Sequence, residues 1–342
     1  MMNPRRQCLR VALGLFAASL SPHLLAAPST VDKLIADKPL VWRQRAMLGF
    51  GTTLWLKAAH ANSDLLESVL DEAVNAIRQI ERQMSLFDPH SALSRLNTRG
   101  TLRQPDPDLL AVLALATKVS AQSDGAFDVS MQPLWRLWSQ ASEQGVLPSK
   151  RAVAQARRRV NWRAVETSPA AIRLNQTGMA LSLNGIAQGY ASERVKAILQ
   201  ARGIAHALID TGETSLLGHA PDGGDWTFGI ENAARLATEA PPLLTYDGRA
   251  MATSSDAHTT FSADHLHHHI MDPRTGYSPG WWSSVTVLAD SCALADALTK
   301  VFFMLPPDDV QAVARQWDVD VVMQDKAGRW TSTLHGRSKG QA

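Results

Sequence analysis

Beyond residue 27 this chain holds one cysteine, Cys292, so no internal disulfide can form and the fold must be held by apolar burial. The material is present: 342 residues, 45% of them apolar, suffice for one large domain or two ordinary ones with a sizeable core. A formal charge of +2 gives no global electrostatic case for nucleic acid. The run Arg157-Arg158-Arg159 lacks interleaved aromatics and reads as a solvated helix face.

Residues 1–27 read as an export signal. Arg5-Arg6 precede an apolar run from Val11 to Leu20 and a small-residue exit at Ala26-Ala27. The stretch Pro4-Arg5-Arg6-Gln7-Cys8-Leu9-Arg10 resembles a twin-arginine signal, with Cys8 where a Phe is common. A spanning helix needs ~20 apolar residues, so the expectation is a periplasmic protein with no transmembrane segment in its mature part. Residues 28–46 are a lead-in, 47–334 the folded domain and 335–342 a mobile tail.

The apolar pattern sets the fold class. Leu66, Val69, Leu70, Val74, Ile77, Ile80 and Met84 recur at helical spacing and predict a helix over 63–84. Gly51 to Ala59 alternates as a strand, with Thr53, Trp55 and Lys57 opposite Leu54 and Leu56. Further helices are predicted over 105–120 and 182–199, and strands over 205–210, 226–230, 285–288 and 319–322. The elements interleave without a regular βαβα beat, so the class is α+β, with mixed sheets and packed helices.

Two segments carry the chemistry. His269-Ile270-Met271-Asp272-Pro273-Arg274-Thr275-Gly276 sets an imidazole, a carboxylate and a guanidinium at a turn, where Pro fixes φ and Gly supplies a left-handed position. Ser291 to Leu298 places a lone acid, Asp296, in an apolar helix. Together they point to a site that handles phosphate. Of the histidines His265, His267, His268 and His269, the last is taken as functional and the other three as exposed. Neighbours on a strand face opposite ways, and no Cys partner for zinc is near. Asp210-Thr211-Gly212, a single aspartic-protease-like triplet, reads as a strand-ending turn. Trp135, Trp138, Trp281 and Trp282 read as core or interface residues.

In order, the clusters Phe50-Gly51-Thr52-Thr53, Met84 to Asp88, Ser91 to Asn97, Gly125 to Asp128, Asn184 to Tyr190, Ala252-Thr253-Ser254, His269 to Gly276 and Ser291 to Leu298 resemble the FAD:protein FMN transferases, the ApbE family. The resemblance spans roughly Met47 to Leu305 and implies a T-fold-related single large domain. Its implied activity is transfer of FMN from FAD to a Ser or Thr hydroxyl of an acceptor protein, releasing AMP with help from Mg²⁺. The implied acceptor is a membrane-associated electron-transfer protein.

By position, the resemblance implies cofactor contacts at Phe50, Phe87, Ala126, Phe127, Asp128, Ser182, Gln188 and Ile270. It implies metal binding at Gly185 and Asp296, and proton handling at His269 or Asp272. Three residues depart from the family's pattern: Ser182 replaces an Asp, Gln188 a Lys, and Lys300 the second metal-binding hydroxyl. An ammonium cannot ligate a cation. Three alternatives follow: Thr299 supplies the hydroxyl, Lys300 partly replaces the metal's charge from four residues along the helix, or metal binding is weakened and only flavin binding survives. The competing functions are a FAD-binding protein without transferase activity and a FAD pyrophosphatase.

Overall fold

The computed structural model describes residues 39–334 apart from 235–238, 258, 263 and 265. The export signal, most of the lead-in, the tail and His265 lie outside the described residues. In chain order the elements are β1 (Val41–Gly49), β2 (Thr52–His60), α1 (Ser63–Met84), α2 (Ala92–Arg99), β3 (Thr101–Arg103), α3 (Pro107–Gln122), α4 (Gln132–Glu143) and α5 (Lys150–Arg157). Next come β4 (Val165–Thr167), β5 (Ala171–Leu174), α6 (Ala187–Ala201), β6 (His206–Asp210), β7 (Thr214–Leu217), β8 (Thr227–Gly229), β9 (Leu243–Thr245) and β10 (Ala250–Ser255). The chain ends through β11 (Trp282–Ala289), α7 (Cys292–Phe303), α8 (Pro307–Trp317), β12 (Asp320–Asp325) and β13 (Trp330–Ser332).

One eight-stranded sheet, in the order β1-β2-β6-β7-β10-β11-β12-β13, organises these elements. Every pairing in it is antiparallel. Antiparallel strands sorted away from their helices are the α+β arrangement expected from the sequence. Smaller sheets, β3-β5-β4 and β8-β9, lie outside it.

Helices α1, α6 and α7 pack on one another and back the sheet, α1 on β1 and β2, α6 on β6 and β7, α7 on β10 and β11. Leu66, Val69, Leu70, Ala73 and Ile77 of α1 meet Leu54 and Leu56 of β2 and Ile209 of β6 in one cluster. The predicted 63–84 period therefore corresponds to a real buried stripe, capped by Asn62 Oδ1, which accepts from the N–H groups of Asp64 and Leu65. Strand β11 is buried at every position. Its far side is covered by Ile230 and Leu244 of the β8–β9 region, which pack on Leu288 and Val322.

The structure moves three boundaries. The lead-in is too long, because β1 begins at Val41 and pairs with β2 over its whole length. The helix predicted from Ser182 begins at Ala187. The preceding backbone is held elsewhere: Leu181 N–H donates to Asn97 Oδ1 and Ser182 N–H to the Val129 carbonyl. Trp282 lies in β11 and is buried, while Trp281 beside it is exposed.

Helices α6 and α7 cross at Gly189. A methyl added there collides with the Cys292 carbonyl oxygen and lies 2.8 Å from Asp296 Cβ. Overpacking of this kind costs ~3 kcal/mol. Gly189→Ala is therefore expected to lower the unfolding free energy by that amount, read as a fall in the urea midpoint at unchanged slope, and an unaltered midpoint would contradict the close crossing.

Candidate functional site

Asp296 sits on α7 where it passes α6, fully buried. A carboxylate without water must be compensated. Its Oδ2 accepts from the Gly189 N–H at 3.2 Å, and its Oδ1 meets Lys300 Nζ at 2.5 Å, one turn further along α7. Nζ also donates to the Asp296 carbonyl oxygen at 3.1 Å. The Lys300 chain lies against Gly185: a Cβ on that glycine would be 3.0 Å from Lys300 Cε and 3.5 Å from the Phe127 ring. Gly185 thus gives the lysine room to lie along the turn leading into α6.

Glu213, the residue after the Asp210-Thr211-Gly212 turn, is a second buried acid in this cluster. Its Oε2 accepts from the Thr253 N–H at 3.0 Å. Burial and the neighbouring Asp296 carboxylate push its carboxyl well above the usual range, with Lys300 offsetting part of the effect. The signal that could have found it is an acid set between a strand-ending turn and the apolar pair Leu216-Leu217.

Beside the cluster lies a depression lined by Phe50, Ser85, Phe87, Asn184, Ala187 and Gln188. Three sequence-predicted contacts, Phe50, Phe87 and Gln188, meet here. Phe50 and Gly51 form the two-residue loop of the β1–β2 hairpin with φ of 50° and 83°. Both positive values belong to a primed turn, normally filled by Asn-Gly, so a phenylalanine there is strained. Glu81 of α1 holds it, accepting from the Phe50 N–H at 2.9 Å. Phe87, 52% exposed, lies over Gly51. Gln188 Nε2 donates to the Thr211 carbonyl at 3.1 Å and ties the start of α6 to the β6–β7 turn. Ser182 Oγ accepts weakly from the Asn184 N–H at 3.4 Å.

The other predicted contacts hold the framework. Ala126, Phe127 and Ile270 are buried in the main core. Asp128 is fully engaged inside the chain, accepting from Ser130 N–H and Oγ–H, both at 2.7 Å, and from Trp162 N–H at 3.1 Å. Burial raises its carboxyl above the usual range. It therefore positions the 126–130 turn rather than facing a ligand.

Asp272 is likewise committed. It takes the Arg274 guanidinium on both oxygens and caps its own turn through the Arg274 N–H. That removes it as a proton acceptor. Its loop is seated on α4, where Trp138 Nε1 donates to the Gly276 carbonyl at 2.9 Å. His269 Nδ1 lies 3.2 Å from the Thr259 carbonyl. A carbonyl only accepts, so in this contact Nδ1 is the donor.

The expectation of exposed neighbouring histidines is overturned. His268 is buried against Phe303, with Nε2 at 3.3 Å from the Pro279 carbonyl, and His267 packs on Trp138. The segment is a seat for its loop, not a free strand. Among the described residues no group of three His, Cys, Asp or Glu is arranged to hold a metal.

The residues implied for a divalent cation do not fit one. Asp296 spends one oxygen on Lys300 and the other on a backbone N–H. The Thr299 hydroxyl, expected as a substitute ligand, donates to the Asp296 carbonyl at 2.7 Å and bonds Ser254 Oγ at 2.8 Å. The third neighbour is an ammonium, which has no lone pair to give.

The single-domain α+β architecture is shared with solved flavin transferases. The ApbE flavin transferase of Vibrio cholerae superposes with a TM-score of 0.73 at 25% identity, covering 86% of this chain and 97% of that one. The apo form of the Pseudomonas stutzeri flavinyl transferase ApbE gives 0.74 at 25% identity, covering 86% and 94%. Curated relatives include the FAD:protein FMN transferases of Vibrio cholerae, 28% identical over 77% of this chain and 80% of that one, and of Treponema pallidum, 25% identical over 80% and 82%. A sequence model of the ApbE family matches residues 50–323, and this chain belongs to that family.

Burial lowers the His268 imidazole from an ordinary 6.5 to about 3. It is neutral in the fold, so unfolding takes up a proton below pH 6.5. Its contribution to stability is complete above that pH and is lost as pH falls toward 3, at ~1.4 kcal/mol per unit. Urea titrations of wild type and His268→Gln between pH 7 and 4 should show a shallower loss in the variant. Parallel curves would refute the assignment.

Proposed function

We propose that this protein is an exported FAD:protein FMN transferase that moves FMN from FAD to a Ser or Thr hydroxyl of an acceptor, releasing AMP. The observation that carries the reading is one juxtaposition. Asn184 lines the aromatic depression of Phe50 and Phe87, and its neighbour Gly185 lies against Lys300 of the Lys300–Asp296 pair. The first suits a flavin or adenine ring and the second a pyrophosphate. The names of the relatives point the same way. The signal-like start of the chain supports a periplasmic location, and with it a membrane-associated electron-transfer protein as acceptor.

In this reaction the acceptor's hydroxyl oxygen bonds to the phosphorus on the FMN side of FAD, and the bond from that phosphorus to the bridging oxygen breaks. AMP leaves with that oxygen. Negative charge on the phosphoryl oxygens must be met by positive groups, and the hydroxyl proton must be taken up. Lys300 supplies positive charge from within the chain. His269 Nε2 takes the proton, its tautomer set by the Thr259 carbonyl. Asp272 and Arg274 fix the loop that presents it. Magnesium, implied by the family resemblance, would neutralise pyrophosphate charge when bound, but the residues here do not supply its ligand set.

Purified protein incubated with FAD and a candidate Ser- or Thr-bearing acceptor should yield a fluorescent acceptor band and one AMP per flavin attached. His269→Ala should slow transfer ~10²-fold or more while FAD affinity stays within about threefold. AMP with free FMN and no labelled acceptor would make the protein a pyrophosphatase. Bound FAD with neither product would make it a flavin-binding protein.

A further inference from the structure

We propose that Lys300 is the resident cation of this site, occupying the place a divalent metal would take and offering its charge to the pyrophosphate, so that the protein binds FAD without a metal. This rests on the flavin-transferase reading of the same site. Four features of the chain carry it. Asp296 and Lys300 stand four apart on α7, so their side chains meet on one face of the helix. The contact is direct at 2.5 Å, with the acid 1% and the lysine 22% exposed. The carboxylate is therefore sealed from water, and the lysine is the member of the pair that reaches solvent.

Donor accounting gives the second feature. An ammonium has three N–H bonds. Among the described residues two are used, on the Asp296 carboxylate and on its carbonyl, which leaves one for a phosphoryl oxygen. The third feature is space. Lys300 Cε lies 3.0 Å from where a Gly185 Cβ would stand, so the lysine stem packs closely against the glycine turn that leads into α6.

The fourth is the demand for positive charge. Glu213 and Asp296 are both buried, the Asp296 carboxylate adds to the burial that pushes Glu213 toward its neutral form, and Lys300 is the cation that opposes this. Exchanging it for a hydroxyl residue would leave the two acids facing each other and open a cation site between Asp296 and the new oxygen.

The test compares wild type, Lys300→Thr and Lys300→Met. Mn²⁺ binding is read by electron paramagnetic resonance without nucleotide, and FAD binding by flavin fluorescence in EDTA or with MgCl₂. Wild type should hold no stoichiometric Mn²⁺ at millimolar concentration, and its FAD affinity should change less than about threefold between EDTA and Mg²⁺. Lys300→Thr should bind Mn²⁺ and show FAD affinity at least tenfold tighter with Mg²⁺ than in EDTA. Lys300→Met, which fills the space without donating or ligating, should lose FAD affinity tenfold or more under both conditions, with thermal unfolding confirming that it folds. Stoichiometric Mn²⁺ on wild type, or a tenfold loss of its FAD affinity in EDTA, overturns the proposal. Absence of FAD binding to wild type under either condition overturns the transferase reading instead, and the Mn²⁺ comparison still decides what occupies the cation position.

Discussion

A carboxylate with no access to water is the constraint around which this molecule is arranged. Asp296 lies where α6 and α7 cross, and the ways of compensating it govern its neighbours. Gly189 must lack a side chain, or its N–H cannot approach the carboxylate. Lys300 must be one turn away, or the charge is unpaired. Gly185 must leave room for the lysine stem. An uncompensated buried charge costs several kcal/mol, comparable to the whole stability of an ordinary domain, so these positions are coupled.

The aromatic side of the site is held by a different force. The Phe50 backbone adopts a left-handed conformation that a bulky residue does not choose. It is imposed from α1, where Glu81 takes the Phe50 N–H and Arg78 bridges Glu81 to the Leu48 carbonyl. Helix α1 can act as an anchor because its opposite face is sunk in the core through Leu66 to Ile77. Sheet packing thus sustains local strain, and the strain aims a phenylalanine at the depression it shares with Gln188.

Much of this was legible in the sequence where one physical rule dominates. The apolar period of α1, the alternation of β2 and the α+β class follow from burial alone, whereas the antiparallel pairing of the main sheet did not, and the ordered clusters pointed to Phe50, Phe87, Gln188, Gly185 and Asp296. Helices α2 and α5, at eight residues each, are too short to show a period. Whether a polar residue faces a ligand or its own chain was not legible. Asp128 and Asp272 look like site carboxylates in one dimension, yet each is consumed by local hydrogen bonds. Glu213 was missed for the converse reason, since its significance lies in sharing a buried space with Asp296, 83 residues away in the chain. His267 and His268 failed as exposed residues because the loop they enter is seated against Trp138 and Phe303.

The departure at Lys300 is better understood as a change of charge carrier than as a lost ligand. A divalent ion brings two charges from solvent and must be recruited and dehydrated. A lysine brings one, already in place, at the cost of weaker attraction for the phosphoryl oxygens. The surroundings accord with the second solution: the lysine side chain reaches solvent while its carboxylate partner is sealed. On the proposed reading, Lys300 supplies from α7 the positive charge that the family resemblance assigns to a metal, without disturbing the helix crossing on which the rest of the fold is built.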